Sequence, residues 1–502
     1  MTIRAEHPSL TAFIEESLSA DERRHVLFVS FTQWGFALAA LADTAACLHR
    51  MGTEPTLAFW ACSTPMHDTG WSTSHNLSRI FLSPSRDQRV RDALIDFGIP
   101  RSSLAKPPIH HWHPKAPVNI DRPMNRTEIK ALEYVGSPMG LAMLQVRTLT
   151  DVPVTDAYYW PQRLLQLAAR SYAYAYDQTA ELIQTRGITA VAVYNGRFLH
   201  DRAAAAAAQA AGLPVLYYDT GGIDTDFDLT DNVTHDWSDL QRRMLHLYDT
   251  WPADERDAVG GSWFSDRLNH KAADNALFVE AQEIGSTIER PDTDCLVVYF
   301  SSSGDEIAEL ELDWSQFIGS QHDALIALAE ECRQRPGYTL VIRSHPHKRM
   351  KPKLDVEEWL ATVAQADPDI HIDQHSPIDT YELMRLADIV VTYGSTTGVE
   401  AAFANKPVIV LGPSAYDQLG CATLARRPEQ LGELLDIREA GSWPGAVSYG
   451  LMMRRRGFTY EFVVRTPNGS HELAGREFAE PRAIVKHGSN LLGRLQNWHS
   501  TR

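Results

Sequence analysis

The sequence of 502 residues is too long for one hydrophobic core of ordinary size and implies two or three domains. With 44% hydrophobic and 22% charged residues it has the composition of a globular protein, not of a disordered one. A formal net charge of -17 opposes nonspecific attraction to nucleic acid or an anionic membrane, and no stretch reaches the roughly 18 apolar residues that span a bilayer.

The N-terminal segment carries acids and lacks the apolar run of a secretory leader, and the five cysteines (47, 62, 295, 332, 421) are scattered without CxxC spacing. Both features predict reduced thiols in a cytoplasmic protein, with neither a disulfide framework nor a zinc site. Short apolar runs then alternate with longer amphipathic or alanine-rich segments, the pattern of an α/β fold with mostly parallel sheets. The first series opens with a strand over 25–30, a polar turn over 32–35, a helix over 36–51 and a strand over 56–60. Residues 96–154, rich in His, Pro and Met, have weak periodicity and read as an irregular insertion or loop region. A helix over 161–186 leads to a strand over 190–194, a turn at Asn195-Gly196-Arg197, an alanine-rich helix over 201–211 stopped by Gly212, and a strand over 215–218.

An acidic, proline-containing stretch over 285–293 separates this series from the next. The expected domains are therefore 1–288 and 289–475, followed by a helical tail within 476–502 that packs back on the first domain. The second series has strands over 295–300, 338–342, 370–372, 388–392 and 407–411, with helices over 320–333, 377–386 and 398–404. Each half thus predicts a Rossmann-like parallel-sheet domain.

Three strand ends of the second half carry candidate chemistry. In the first, a buried strand ends in Gly394, Ser395, Thr396, Thr397 and Gly398, small and hydroxyl-rich residues that open a helix bearing Glu400. Free backbone N–H groups at a helix start attract anions, so the turn suits a phosphate, with Glu400 placed to accept from a ribose diol. The same residues also read as a plain capped helix with a first-turn acid. The second strand ends in Arg343, His345 and Pro346, 50 residues before Ser395 (395 minus 345). In open α/β sheets ligands sit beyond the carboxyl ends of the strands, and an imidazole there hydrogen-bonds phosphate; a loop histidine orienting a turn is the plainer reading. The third follows the strand over 295–300 with Ser301, Ser302, Ser303 and Gly304, then Asp305 and Glu306.

A strand ending in His-Pro, then a Ser/Thr-rich strand-to-helix turn with a Glu one turn on, then a Lys-Pro-Val-Ile strand, resembles the donor domain of bacterial capsule and cell-surface polysaccharide transferases. These are GT-B enzymes related to bacterial sialyltransferases, Kdo transferases and glycerophosphate polymerases, many of which use CMP- or CDP-linked donors. The resemblance covers about 120 residues, over 295–419. It implies a GT-B fold, two Rossmann-like domains facing a cleft, and transfer of a sugar from a CMP, CDP or UDP type donor to a hydroxyl of a surface polysaccharide or glycolipid. It implies His345 toward donor phosphate, Ser395, Thr396 and Thr397 toward phosphate or nucleotide, and Glu400 toward ribose. The partners it implies are a nucleotide sugar and a glycan or lipid-linked glycan, with peripheral membrane association left open and no nucleic acid.

In such an enzyme the strand-end loops of the first domain face the acceptor, which makes Gln33, Trp34, Gly35, Asn195 and Arg197 acceptor-side candidates. A general base is expected within hydrogen-bond reach of the acceptor hydroxyl in an inverting enzyme. Asp219, delivered by a strand to a Gly-Gly turn, leads here, with an Asx-type turn as its plain reading. Asp305 and Glu306 are its rivals, with helix N-terminal acidity as the stronger reading of each. Asp224-Thr225-Asp226 resembles a metal-binding Asp-x-Asp but stands outside that motif's fold context, so neither a metal nor another cofactor is expected. Two other functions fit the same architecture: a nucleotide-sugar 2-epimerase, and a noncatalytic glycan- or nucleotide-binding member of a polysaccharide assembly complex.

Overall fold

The computed structural model describes residues 9–32, 34–60, 64, 66, 86–106, 113–146, 153, 157–272, 281–303 and 316–478. The chain forms two compact units. The first takes Met1–Val152, Asp156–His235 and Arg456–Arg502; the second takes Pro153–Thr155 and Asp236–Arg455.

In the first unit, β1 (Val26–Ser30), β2 (Thr56–Phe59), β3 (Ala190–Tyr194) and β4 (Val215–Thr220) are parallel, in the order β4-β3-β1-β2. Alternate residues of each strand point to opposite faces, so apolar runs such as Val26–Ser30 build two cores at once. Val26, Phe28, Ala190 and Ala192 pack under the helix Gly35–Arg50. Leu27, Val29, Val191 and Val193 pack under the helices Gln162–Arg186 and Leu199–Ala210.

Beyond β4 the sheet is extended by β5 (Asp226–Thr230), antiparallel, and then by the strand Phe458–Thr459. The sequence pattern had not disclosed β5, because DFDLT places two aspartates, poor strand formers, in a strand of five. Gly221 makes the hairpin possible, since a Cβ there would lie 2.5 Å from the Asp226 carbonyl carbon. The return of the chain after residue 455 is pinned by Asp43, buried in the helix Gly35–Arg50, whose carboxylate accepts the N–H groups of Glu461 (3.0 Å), Phe462 (2.7 Å) and Val463 (2.8 Å).

In the second unit β6 (Cys295–Phe300), β7 (Tyr338–Arg343), β8 (Ile370–Ile372), β9 (Ile389–Thr392), β10 (Val408–Val410) and β11 (Thr423–Leu424) form a parallel sheet ordered β11-β10-β9-β6-β7-β8. All its strands are parallel, as the sequence predicted for this half, and the order is doubly wound. The helices Trp237–Thr250, Arg256–Leu268 and Trp443–Arg455 belong to it as well. Two of them cross closely through glycine: a Cβ on Gly260 would meet the Val447 carbonyl at 2.5 Å, and one on Gly450 would meet the Gly260 carbonyl at 2.3 Å.

The unit boundaries therefore fall at 235/236 and 455/456, not at 288/289 and 475/476. The stretch 285–293 lies inside the second unit, where Ser286 accepts the backbone N–H of Asp379. The expected tail helix is also corrected at its start. Val464–Arg465, His471–Leu473 and Arg476–Glu477 form a small antiparallel sheet whose turns are closed by left-handed Gly469 (φ 83°) and Gly475 (φ 77°). The remainder of that tail, 479–502, lies outside the described residues. Among the described residues no helix is long and apolar enough to cross a membrane.

Candidate functional site

Three strand ends of the second unit converge, as the sequence predicted. At the end of β6, Ser301 is buried and its Oγ accepts the backbone N–H of His345 at 2.7 Å. This bond ties the β6 and β7 ends together. At the end of β7, Arg343 is fully buried, and its guanidinium donates to the carbonyl oxygens of Asp373, Ser376 (3.4 Å) and Ile378 (3.4 Å). Burial lowers its pKa to about 10, which leaves it charged at neutral pH. Its terminal nitrogens thus hold the 373–378 loop in place, and its charge stays beneath the site.

His345 opens the short 3-10 turn Pro346–Met350, and its Nδ1 accepts the backbone N–H of His347 at 3.1 Å. Burial, and then the charge of Lys348, pushes its pKa down to about 3. A neutral imidazole accepting at Nδ1 carries its proton at Nε2, so His345 is a hydrogen-bond donor there.

At the end of β9, Gly394 (φ 84°) turns the chain, and the helix Thr397–Phe403 follows. Ser395 Oγ donates to Thr397 Oγ1 at 3.3 Å, and Thr396 is exposed. Behind this turn the Tyr416 hydroxyl donates to the Ser395 carbonyl at 2.6 Å and lies 3.1 Å from Thr392 Oγ1. It occupies the space where Gly398 lacks a side chain, since a Cβ there would be 2.1 Å from the Tyr416 oxygen. Gly398 is therefore required by packing from within, whereas the sequence had suggested it made room for a phosphate.

Ser301, Arg343, His345, Pro346, Ser395, Thr396, Thr397 and Glu400 line one pocket, joined by Arg267, Gln282, Phe300, Thr380 and Tyr381. Of the other predicted positions, Ser302 is turned to Gln321 Oε1, to which its N–H (2.9 Å) and hydroxyl (3.0 Å) donate, and Ser303, Gly394 and Gly398 do not line the pocket. Gly304, Asp305, Glu306 and Gln33 lie outside the described residues.

Sequence reasoning missed Arg267. It sits on the helix Arg256–Leu268, stacks 4.4 Å from the Trp263 ring, and places its Nε 2.6 Å from Glu400 Oε1 with both side chains buried. Glu400 thus reaches the pocket as half of an ion pair. No sequence signal links two residues 133 apart.

In the first unit Asp219 is buried, and its carboxylate accepts from Asn195 Nδ2 at 2.5 Å and from the Thr220 N–H at 2.7 Å. Burial raises its pKa, against the lowering charge of Arg456. Asn195 is itself left-handed (φ 56°), a conformation asparagine tolerates, and its Oδ1 accepts the Arg197 N–H at 3.3 Å. The carboxylate therefore joins the β3 turn to the β4 end. Trp34 belongs to an aromatic cluster with Phe36 (5.8 Å), Tyr194 (5.5 Å) and Phe198 (5.5 Å). Gly35 lines a separate hollow of this unit with Phe36, Gly221, Gly222, Tyr460 and Arg465; Asp219, Asn195 and Arg197 do not. The Asp-x-Asp residues are engaged locally, Asp224 with Arg465 and Asp226 with Thr459 Oγ1 (2.6 Å).

Residues 312–429 match the family described as capsule polysaccharide biosynthesis protein. That stretch is about a quarter of the chain and lies within the second unit. The matched stretch contains the β7 and β9 strand ends with Arg343, His345, Ser395 and Glu400; Ser301 and Arg267 lie before it. Solved structures similar to this chain include the β-Kdo 2,7 transferase of KpsC from Thermosulfurimonas dismutans, at 15% identity over 63% of this chain and 89% of that chain, TM-score 0.35. The UDP-GlcNAc 2-epimerase of Neisseria meningitidis bound to UDP-GlcNAc is 11% identical, covering 85% and 96%, TM-score 0.28. Acinetobacter baumannii MurG is 13% identical, covering 94% and 99%, TM-score 0.25. No curated protein matches the sequence. Both units are α/β with mostly parallel sheets, and the second contains the stretch that matches the capsule family.

Proposed function

We propose that the protein transfers a sugar from a nucleotide-activated donor, held by the second unit, to a hydroxyl of a surface polysaccharide or glycolipid. The observation that carries this reading is the joining of three strand ends in one pocket, where Ser301 fixes the His345 backbone and Ser395, Thr396 and Thr397 line the same pocket within the stretch that matches the capsule family. As the glycosidic bond breaks, negative charge grows on the leaving phosphate. Fixed donors aimed at that charge lower the barrier without reorganising. His345 Nε2–H and the hydroxyls of Thr396 and Thr397 are such donors. Arg343 adds positive charge from beneath while its nitrogens position the loop.

The test is thermal stabilisation of the full chain by CMP, CDP, UMP, UDP and GDP, with wild type and His345→Ala side by side. Stabilisation by a pyrimidine nucleotide that His345→Ala loses is the expected result. Lack of any nucleotide effect on the wild type sinks the proposal. Conversion of a UDP-sugar to its 2-epimer without acceptor would replace transfer by epimerisation.

A further inference from the structure

At the carboxyl edge of the first unit's sheet a chain of hydrogen bonds links the ends of β3 and β4. The Arg197 N–H donates to Asn195 Oδ1 (3.3 Å), Asn195 Nδ2 to Asp219 Oδ2 (2.5 Å), the Thr220 N–H to Asp219 Oδ1 (2.7 Å), and Arg456 Nη2 to Thr220 Oγ1 (3.4 Å). Gly222 N–H closes on the Arg456 carbonyl at 2.9 Å. Two arginines are thereby brought to the same edge, one from a turn and one from the returning chain.

Both are partly buried, and the Nε of each is buried without a hydrogen-bond partner among the described residues. Arg197 lays its guanidinium 5.0 Å from the Phe198 ring, which fixes its plane and leaves its edge to other groups. Among the described residues neither has a carboxylate within ion-pair distance. Some other arginines of this acidic chain do, as Arg267 with Glu400, Arg335 with Glu331 and Arg454 with Asp266. The neighbouring acids are committed to the sheet: Asp219 to Asn195 and Thr220, and Asp228 opposite it in the β4–β5 ladder. His235 adds no counter-charge. Burial, then the charge of Arg197, with Arg456 contributing further, lowers its pKa to about 3.

A partly buried guanidinium with no carboxylate at ion-pair distance keeps N–H donors for an outside anion, and its planar fork matches carboxylate and phosphate oxygens. We propose that Arg197 and Arg456 form an oxyanion subsite that takes the carboxylate of an acidic sugar or the phosphate of a phosphorylated one. This rests on the transferase reading, in which ligands of the first unit are acceptors, and names the acceptor as anionic.

The test is titration of the full chain with glucuronate, glucose 1-phosphate and glucose by saturation-transfer NMR, using wild type, Arg197→Gln, Arg456→Gln, Arg456→Lys and His345→Ala. One anionic sugar is expected to bind and glucose not. Each Gln variant should weaken that binding about tenfold or more, as loss of a charge-assisted hydrogen bond does, with Arg456→Lys between. Glucuronate as the ligand identifies a carboxylate source, and glucose 1-phosphate a phosphate source. Binding that survives both Gln variants, or falls only in His345→Ala, overturns the subsite. Nucleotide stabilisation, read in the same variants, reports on the donor pocket alone, so failure of the transferase reading is seen separately. Near-ultraviolet circular dichroism of each variant confirms its fold, and the Lys variant keeps the charge if a Gln variant is unstable.

Discussion

Glu400→Ala removes the partner of Arg267 and leaves a guanidinium charge in a buried site, since the side chains of the pair are 10% and 3% exposed. Breaking a buried ion pair from one side costs about 3–5 kcal/mol, because the surviving charge keeps its desolvation penalty without its attraction. For a cooperative unit of the second unit's size, each kcal/mol lowers Tm by roughly 2–4 °C, so the midpoint should fall by about 6–20 °C. Replacing both partners, Arg267→Met with Glu400→Leu, removes the charges together and should recover most of the loss, giving a coupling energy of about 2 kcal/mol or more in a double-mutant cycle. Differential scanning calorimetry resolves these shifts. A Glu400→Ala midpoint within about 1 °C of wild type, or a double variant no better than the single, refutes the reasoning and returns Glu400 to a ligand-facing role.

Gly398→Ala forces a Cβ to 2.1 Å from the Tyr416 oxygen, so it should cost about 1–3 kcal/mol and weaken nucleotide stabilisation, while Gly398→Ala with Tyr416→Phe recovers stability in chemical denaturation. Because the folded pKa of His345, about 3, lies below its ordinary 6.5, protonation favours the unfolded chain. Its stability contribution is complete above pH 6.5 and is lost as pH falls toward 3, so His345→Asn should flatten the Tm–pH slope in that window. Asn195→Gly accepts the φ of 56° but removes the 2.5 Å donor to Asp219, and should destabilise the protein by about 1–3 kcal/mol in urea unfolding.

Where apolar runs were continuous and bounded by small residues, local pattern was enough to locate structure. Cys295–Phe300, Ala190–Tyr194 and Ile389–Thr392 are strands because a parallel sheet covered on both faces demands such runs, and their polar ends follow at once. The pattern by itself put Ser301, Arg343, His345 and Ser395–Thr397 at one sheet edge. The β5 strand, with alternating aspartates, was hidden because its stability comes from pairing with β4, not from its own composition. The helices Trp237–Thr250 and Arg256–Leu268 went unassigned, so the boundary was read from a proline-containing loop that packs inside the second unit.

Sequence alone determined the two parallel sheets and which polar residues stand at their strand ends, because both follow from periodicity of 2 and 3.6 and from turn residues at fixed offsets. Only the tertiary structure decided what those residues do to one another. It joined Arg267 to Glu400, filled the space beside Gly398 with Tyr416, and brought Arg456 to Thr220 across 236 residues. Such pairings depend on where the chain returns after a long excursion, and a local pattern carries no information about that return.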